Sequence, residues 1–277
     1  MRSCQSSELI LLRTRAVDEH NRVFAEELRG ASGFDVRFLV DERTVPERSR
    51  DPDVLSLNAD SYNALGLYTP PDVAWRCGDY GIYLAWREQP DYLHYWLIED
   101  DVRIAGTVAD FFQLCSTSDA DLVAANLRQA RRGDFWWPHA LSRDGNPYLC
   151  LFGAVRLSRN AVSRCYAKRK EHSRKINRIA LWPNDEGHVA TTVVSSGLSS
   201  VDFNDLHAGL WDHASFSVTG EPIDFVSEPG LPRLIHPVRF APRPSDRASQ
   251  TNRQDAASLR FRARQAAVRR VNALSRW

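Results

Sequence analysis

Residues 8 to 41 commit the chain to a parallel sheet. Glu8 to Thr14 (ELILLRT) is a short, unbroken apolar run bounded by charges, the pattern of a strand buried on both faces. Asp18 to Arg29 then sets Val17, Phe24 and Leu28 at helical spacing with Glu, Arg and His between them, and Gly30 and Gly33 close the helix. Phe34 to Asp41 (FDVRFLVD) alternates as a second strand. Strand, helix and strand in immediate succession make a βαβ unit with a right-handed crossover, which is α/β architecture.

The rest of the chain extends that unit. Residues 42 to 72 are rich in Pro, Asp, Asn and Ser with little periodicity and read as a loop or variable insertion. WRCGDYGIYLAWRE, from Trp75, reads as a helix weakened by Gly78 and Gly81, and leads to the apolar, aromatic strand Tyr92 to Ile98 (YLHYWLI). That strand ends abruptly in Glu99, Asp100 and Asp101. Val108 to Cys115 is a short amphipathic helix and Ala120 to Asn126 another buried strand. After an aromatic segment with Gly and Pro at 133 to 148, LCLFGAVRLSRNAVSRCYAKRK reads as a strand and a basic helix. Its cluster Arg156, Arg159, Arg164 and Lys168 to Lys175 suits a solvated helix face. From Ile179 to Val194 an acidic loop opens a helix, with Asn184 or Asp185 as its cap and Glu186 in its first turn. Asp255 to Trp277 aligns Leu259, Ala263, Ala267, Val271 and Leu274 on one face with Arg260, Arg262, Arg264, Arg269 and Arg270 elsewhere, a basic amphipathic helix.

Composition removes several classes. The chain has 277 residues, 43% hydrophobic, with 36 Lys+Arg against 35 Asp+Glu, so disorder is not expected over most of it. No apolar run approaches the ~18 residues that span a bilayer. Leu9 to Leu12 is too short for a secretory signal core of about 7 to 15 residues. The five cysteines are odd in number and form no Cys-x-x-Cys pair, which argues against a disulfide framework or zinc knuckle. The expected location is cytoplasmic. Yet the net charge of +1 is a cancellation: residues 239 to 277 hold ten Arg and two Asp, net +8, and the remainder holds 26 basic and 33 acidic residues, net −7.

The acidic triplet is the first chemical signal. Open α/β sheets bind ligands at the carboxyl ends of their strands, and Glu99-Asp100-Asp101 stands at such an end. Adjacent carboxylates repel unless a cation or hydrogen-bond donors compensate, and a hard divalent cation such as Mg2+ or Mn2+ does so while keeping positions open for phosphate oxygens. A solvated acidic turn paired with Arg103 is the alternative.

HYWLIEDDVRI resembles the metal-binding acidic region of GT-A glycosyltransferases, in its Glu-Asp-Asp form. The resemblance implies a GT-A-like, Rossmann-like fold: a mixed, mainly parallel sheet flanked by helices, here followed by the C-terminal basic helix. It implies a donor half at 1–127 and an acceptor half at 128–238 of one domain, with a basic tail at 239–277. By the same analogy Arg13, Thr14 and Asp41, at the ends of the first two strands, border the nucleotide, Asp79 in WRCGDY is a donor contact, and Glu99 and Asp100 face the donor. Asp101 and Glu99 are implied metal ligands, Glu99 alternatively meeting the ribose or a water. LIHPVRF resembles the late histidine of some GT-A enzymes and implies His236 as a third ligand. WPNDEGHVATTV is similar to the Pro-Asp-Glu segment of branching β-N-acetylglucosaminyltransferases, which places a general base at Glu186 or at Asp185 before it. Asn184 interrupts that match, and the branching enzymes use no metal.

The implied activity is transfer of a sugar from a nucleoside diphosphate sugar, with UDP-sugar as the first expectation, to a glycan or lipid-linked hydroxyl. It would be divalent-metal dependent and inverting through a carboxylate base. Trp136 or Trp137 could stack on acceptor sugar faces, as indole rings do, although tryptophan is commonly core. The Arg-rich tail has several readings: an anionic membrane contact that would hold the protein at the inner membrane face, packing on its own acidic body, or a solvated tail, with nucleic acid ranked last. Outside transferase chemistry, the alternatives are a non-catalytic α/β protein docking through that tail, or a metal-dependent phosphohydrolase.

Overall fold

The computed structural model of the chain describes residues 7–42, 51–131, 134, 146–175, 182–217, 221–225 and 230–239. β1 (Glu8–Thr14), α1 (Glu19–Ser32) and β2 (Asp35–Asp41) form the βαβ unit, with β1 and β2 parallel. Asp18 caps α1 by accepting from the Asn21 N–H, and Gly33 ends it at φ 71°, a left-handed conformation that suits glycine. Leu9 and Leu11 face one side of the sheet and Ile10 and Leu12 the other, all at 0% exposure, which is why the run shows no polar alternation.

The loop expected over residues 42 to 72 carries structure. β3 (Val54–Leu57) adds in parallel to β2, and α2 (Ala59–Leu65) follows. A four-residue strand is too short to display a period. Asn58, which reads as a loop residue, is the N-cap of α2: its side chain accepts from the Ser61 N–H while Ser61 Oγ accepts from the Asn58 N–H. The helix expected from Trp75 is likewise divided at Cys77 and Gly78 into α3 (Val73–Arg76) and α4 (Asp79–Glu88).

β4 (His94–Glu99) and the short β5 (Arg103–Ala105) flank the acidic turn, followed by α5 (Val108–Ser116) and β6 (Leu122–Gln129). β7 (Tyr148–Ser158) leads into α6 (Arg159–Ser173), then come α7 (Asp185–Ser195), β8 (Ser200–Asp202) and α8 (Phe203–Leu206). β9 (Ile223–Asp224), β10 (Arg233–Ile235) and β11 (Val238–Arg239) close the described chain. The main sheet has the order β3-β2-β1-β4-β7-β6-β8. β7 is antiparallel to both neighbours and the other pairings are parallel, so the sheet is mixed and mainly parallel.

Helices cover both faces. Tyr80 and Tyr83 of α4, Val162 of α6 and Val189 of α7 pack with Leu9, Leu11 and Leu97 on one side. Phe24 of α1, Phe111 and Phe112 of α5 and Phe203 of α8 pack with Ile10, Leu12 and Trp96 on the other. Burying each such Leu, Ile or Phe contributes on the order of 1.5–3 kcal/mol, so the doubly covered strands β1 and β4 anchor the fold. The basic stretch expected to be solvated has two arginines inside. Arg156 donates to both oxygens of Glu8, at 3.0 and 2.6 Å, and Arg169 is at 0% exposure.

No helix among the described residues is long and apolar enough to cross a membrane. The basic helix expected over 255–277 and the segment bearing Trp136 and Trp137 lie outside the described residues.

Candidate active site

β1 and β4 lie side by side and end together, with Arg13 opposite Glu99 in the register. The chain leaves β4 through Glu99, Asp100 and Asp101 and turns back as β5, which pairs antiparallel with β10 so that Ile235 lies opposite Arg103. The Val238 N–H donates to the Asp101 carbonyl at 2.8 Å, and this fastens the β10–β11 corner beside the acidic turn. His236 sits on that corner. Its Nδ1 donates to the Ser217 carbonyl at 2.8 Å, which turns Nε2 toward the acidic side chains, 3.4 Å from Glu99 Oε2 and 3.4 Å from Asp101 Oδ1.

Glu99, Asp101 and His236 thus offer three donor atoms within 4.8 Å of one another. Two carboxylates and an imidazole whose far nitrogen is held by a carbonyl suit a divalent cation such as Mn2+, with the ligand tautomer fixed by that outer hydrogen bond. The Asp101 side chain is 40% exposed and the Glu99 side chain 28%, so both carboxylates reach solvent. Burial alone would lower the imidazole pKa, but the hydrogen bonds and charges of Asp101 and Glu99 raise it to about 10. Burial pushes the Asp101 carboxyl up, and His236 more than reverses this.

Asp100, between Glu99 and Asp101, points elsewhere. The Thr14 hydroxyl donates to its Oδ2 at 2.5 Å, and burial raises its pKa against that bond. Asn21 Nδ2 donates to Thr14 Oγ1 at 2.8 Å, so Thr14 and Asp100 bind one another within a network anchored on α1. Arg103 donates to the carbonyls of Asp100 and Val102 and lies 3.8 Å over the Phe24 ring. It supports the backbone of the turn.

Arg13 connects this cluster to α7. It donates to Glu99 Oε1 at 2.8 Å and to the Ala74 carbonyl. Burial lowers its pKa, but the charges of Glu99 and Asp185, and more weakly of Asp41, leave it raised. Asp41, at the end of β2, is close enough to add to that charge. Gly78 lies against the same pair: a Cβ there would stand 2.7 Å from Asp185 Oδ2 and 2.8 Å from Arg13 Nη1. The break between α3 and α4 lets the backbone approach this closely.

Asn184 caps α7 by accepting from the Gly187 N–H at 3.1 Å, and its Nδ2 donates to Glu186 Oε2 at 2.8 Å. Asp185 has both oxygens engaged by backbone, Oδ2 by the Gly78 N–H at 2.7 Å and Oδ1 by the Glu186 N–H at 2.9 Å. Burial, then the charge of Asp79, push the Asp185 carboxyl up to about 7 against Arg13 and those two N–H groups. Glu186 is raised well above the ordinary carboxylate range, first by burial and then by Asp185. The charges of Glu99 and His236 also act on it, Glu99 raising and His236 lowering. Asn184 is its hydrogen-bond donor among the described residues, which leaves Oε1 without one.

Five of the residues read from sequence are therefore brought into one neighbourhood: Arg13, Glu99, Asp101, His236 and Glu186, with Asp185 behind them. Asp79 is not among them. It is at 0% exposure, and its oxygens accept from Arg169 at 2.7 and 3.1 Å and from the Tyr83 hydroxyl at 2.9 Å, so it is committed to the core. Sequence reading missed Gly78, Ser217 and Arg169. Gly78 was visible only as a flaw in a helix, and a carbonyl such as that of Ser217 leaves no mark in the side-chain pattern.

No protein-family model matches the chain, and no curated protein matches it. Among solved structures the chain is similar to core-mannan synthase A from Aspergillus fumigatus in its Mn/GDP form, at 10% identity and TM-score 0.42 over 74% of each chain. It is similar to a glycosyltransferase involved in glycosylation of the major capsid of PBCV-1, at 10% identity and TM-score 0.38 over 70% of this chain and 80% of that one. It is also similar to the inositol-1-phosphate CTP transferase of T. maritima, at 12% identity and TM-score 0.39 over 72% and 86%.

Proposed function

We propose that the chain is a divalent-metal-dependent glycosyltransferase that moves a hexosyl or N-acetylhexosaminyl group from a nucleoside diphosphate sugar, UDP-sugar first, to a glycan or lipid-linked hydroxyl with inversion. One observation carries this reading: the acidic pair Glu99/Asp101 and His236 converge at the carboxyl ends of β1 and β4, beside the buried carboxyl of Glu186. Glu99, Asp101 and His236 would hold Mn2+ or Mg2+, which supplies positive charge to a leaving diphosphate. The residues around that spot explain the need for it. Glu99 and Asp101, the two carboxylates that face that spot, would repel a diphosphate unless a cation intervenes.

In this reading Arg13 fixes the orientation of Glu99, while Thr14 and Asp100 brace the turn that carries both carboxylate ligands. Glu186 is the general base. It accepts the proton of the acceptor hydroxyl as that oxygen bonds to the sugar C1 and the bond from C1 to the diphosphate oxygen breaks, the electron pair leaving with the diphosphate. What supports Glu186 over Asp185 is the hydrogen bonding: both Asp185 oxygens are committed to N–H groups, whereas Glu186 has an oxygen to spare. Asp185 then acts by fixing Gly78 and the start of α7.

The test is a screen of nucleotide sugars with Mn2+ followed by the two carboxyl variants on the best donor. Glu186→Gln is expected to lower kcat by about 10²-fold or more with UDP affinity unchanged, consistent with the usual worth of a general base. Retention of full kcat in Glu186→Gln removes it as the base. Release of inorganic phosphate from nucleotides without any sugar transfer would instead assign phosphohydrolase chemistry to the site.

A further inference from the structure

The turn that carries Glu186 is gripped from behind by groups that never reach the cleft. Asp79, in the first turn of α4, and Arg169, on α6, are both at 0% exposure. Arg169 Nε and Nη2 donate to the two oxygens of Asp79, and the Tyr83 hydroxyl donates to Oδ2. The guanidinium lies 5.1 Å from the Trp182 ring and 5.6 Å from the Tyr80 ring. Its remaining nitrogen, Nη1, donates to the Pro183 carbonyl at 2.8 Å. Pro183 precedes the N-cap of α7, so its carbonyl lies outside the helical ladder and needs a donor from elsewhere.

The neighbours of Asp79 hold the same turn. Arg76 Nη1 donates to the Trp182 carbonyl at 3.0 Å, and the Gly78 N–H donates to Asp185 Oδ2 at 2.7 Å. Residues 76 to 79 and 182 to 185 are fastened at Trp182, at Pro183 through Arg169, and at Asp185. Stability alone does not call for an ion pair here, because well-packed apolar residues of similar volume often replace a buried pair at no loss. What they lack is a donor for the Pro183 carbonyl. A displacement of about 1 Å at a reacting group can cost on the order of 10²-fold in rate, so a fixed carbonyl three residues before a base has a consequence for chemistry.

We propose that the Asp79–Arg169 pair is a positioning device for Glu186: by holding the Pro183 carbonyl it fixes the Pro183–Glu186 turn against the Glu99–Asp101–His236 cluster. This role deepens the transferase reading above and rests on it. Neither residue touches substrate.

The experiment replaces the pair by apolar side chains, Asp79→Leu with Arg169→Met, so that no lone charge is left buried. The double variant is expected to melt within a few degrees of the wild type and to bind Mn2+ and UDP as the wild type does in calorimetry. Amide hydrogen exchange over residues 184–188 should rise at least tenfold while residues 190–194 stay protected. With the best sugar donor, kcat should fall at least tenfold at an unchanged KM. A merely structural role would lower the melting point and both affinities together. Arg169→Lys, which keeps a charge for Asp79 but loses the planar fork, is read in the same way and serves if the double variant does not fold. Unchanged exchange over 184–188, or unchanged kcat, in a folded variant overturns the proposal. The exchange measurement needs no activity: a wild type that transfers no sugar, with exchange raised in the variant, sinks the transferase reading and leaves the grip on the turn standing.

Discussion

Asp185 shows how burial makes a single carboxyl informative. The unfolded chain would give it an ordinary carboxylate value near 4, whereas in the fold burial and the charge of Asp79 hold it at about 7. The folded state therefore keeps a proton that the unfolded state releases between those values. The sign follows: this contribution to stability is full below about pH 4 and is lost as pH rises through 7. Chemical denaturation at pH 5 and pH 8 should show the wild type losing on the order of 1–3 kcal/mol more than Asp185→Asn does over the same interval. Equal losses in the two proteins would mean that Asp185 titrates as if exposed. At this scale the sequence was legible in part. The acidic character of Glu99, Asp101, Asp185 and Glu186 and the place of His236 beside Pro237 could be read directly, because each stands where a predicted strand or helix begins or ends. Asp79 was misassigned for a physical reason: its partner Arg169 is remote in sequence, and nothing local distinguishes a carboxylate sealed in the core from one in a cleft.

Elements were legible where one period ran long enough to be seen. β1 and β4 showed as apolar runs because both of their faces are covered, and α1 showed because Phe24 and Leu28 point one way between charged residues. The strand β3 and helix α2 did not show, because four residues make no pattern and a capping asparagine looks like any loop asparagine. α2 is nonetheless part of the core beneath the site: Tyr62 packs against Tyr80 of α4 with ring centroids 6.1 Å apart. Asn58→Ala removes the acceptor that serves the N–H groups of Asp60 and Ser61. The expected cost is about 1 kcal/mol, which lowers the melting midpoint by roughly 2–4 °C in a chain of this size. An unchanged midpoint would show that α2 does not depend on its cap.

The molecule as a whole is organised around charge. The net of +1 conceals 33 acidic against 26 basic residues before position 239, and the structure brings Glu99 and Asp101, with the buried carboxyls of Asp185 and Glu186, toward the ends of β1 and β4. No local pattern in the sequence could show that gathering, since it depends on β10 folding back along β5 and on α7 arriving beside β7. In the proposed reading Glu99 and Asp101 repel a nucleoside diphosphate on its own and receive one that arrives with a divalent cation. The central claim is therefore that nucleotide binding depends on the metal through Glu99, Asp101 and His236. Calorimetric titration of UDP into the wild type and into Asp101→Ala, each with Mn2+ and with EDTA, measures this directly. The account predicts binding by the wild type in Mn2+, none detectable in EDTA, and at least tenfold weaker binding by Asp101→Ala in Mn2+. Equal UDP affinity in EDTA and Mn2+, or full affinity retained by Asp101→Ala, would contradict it.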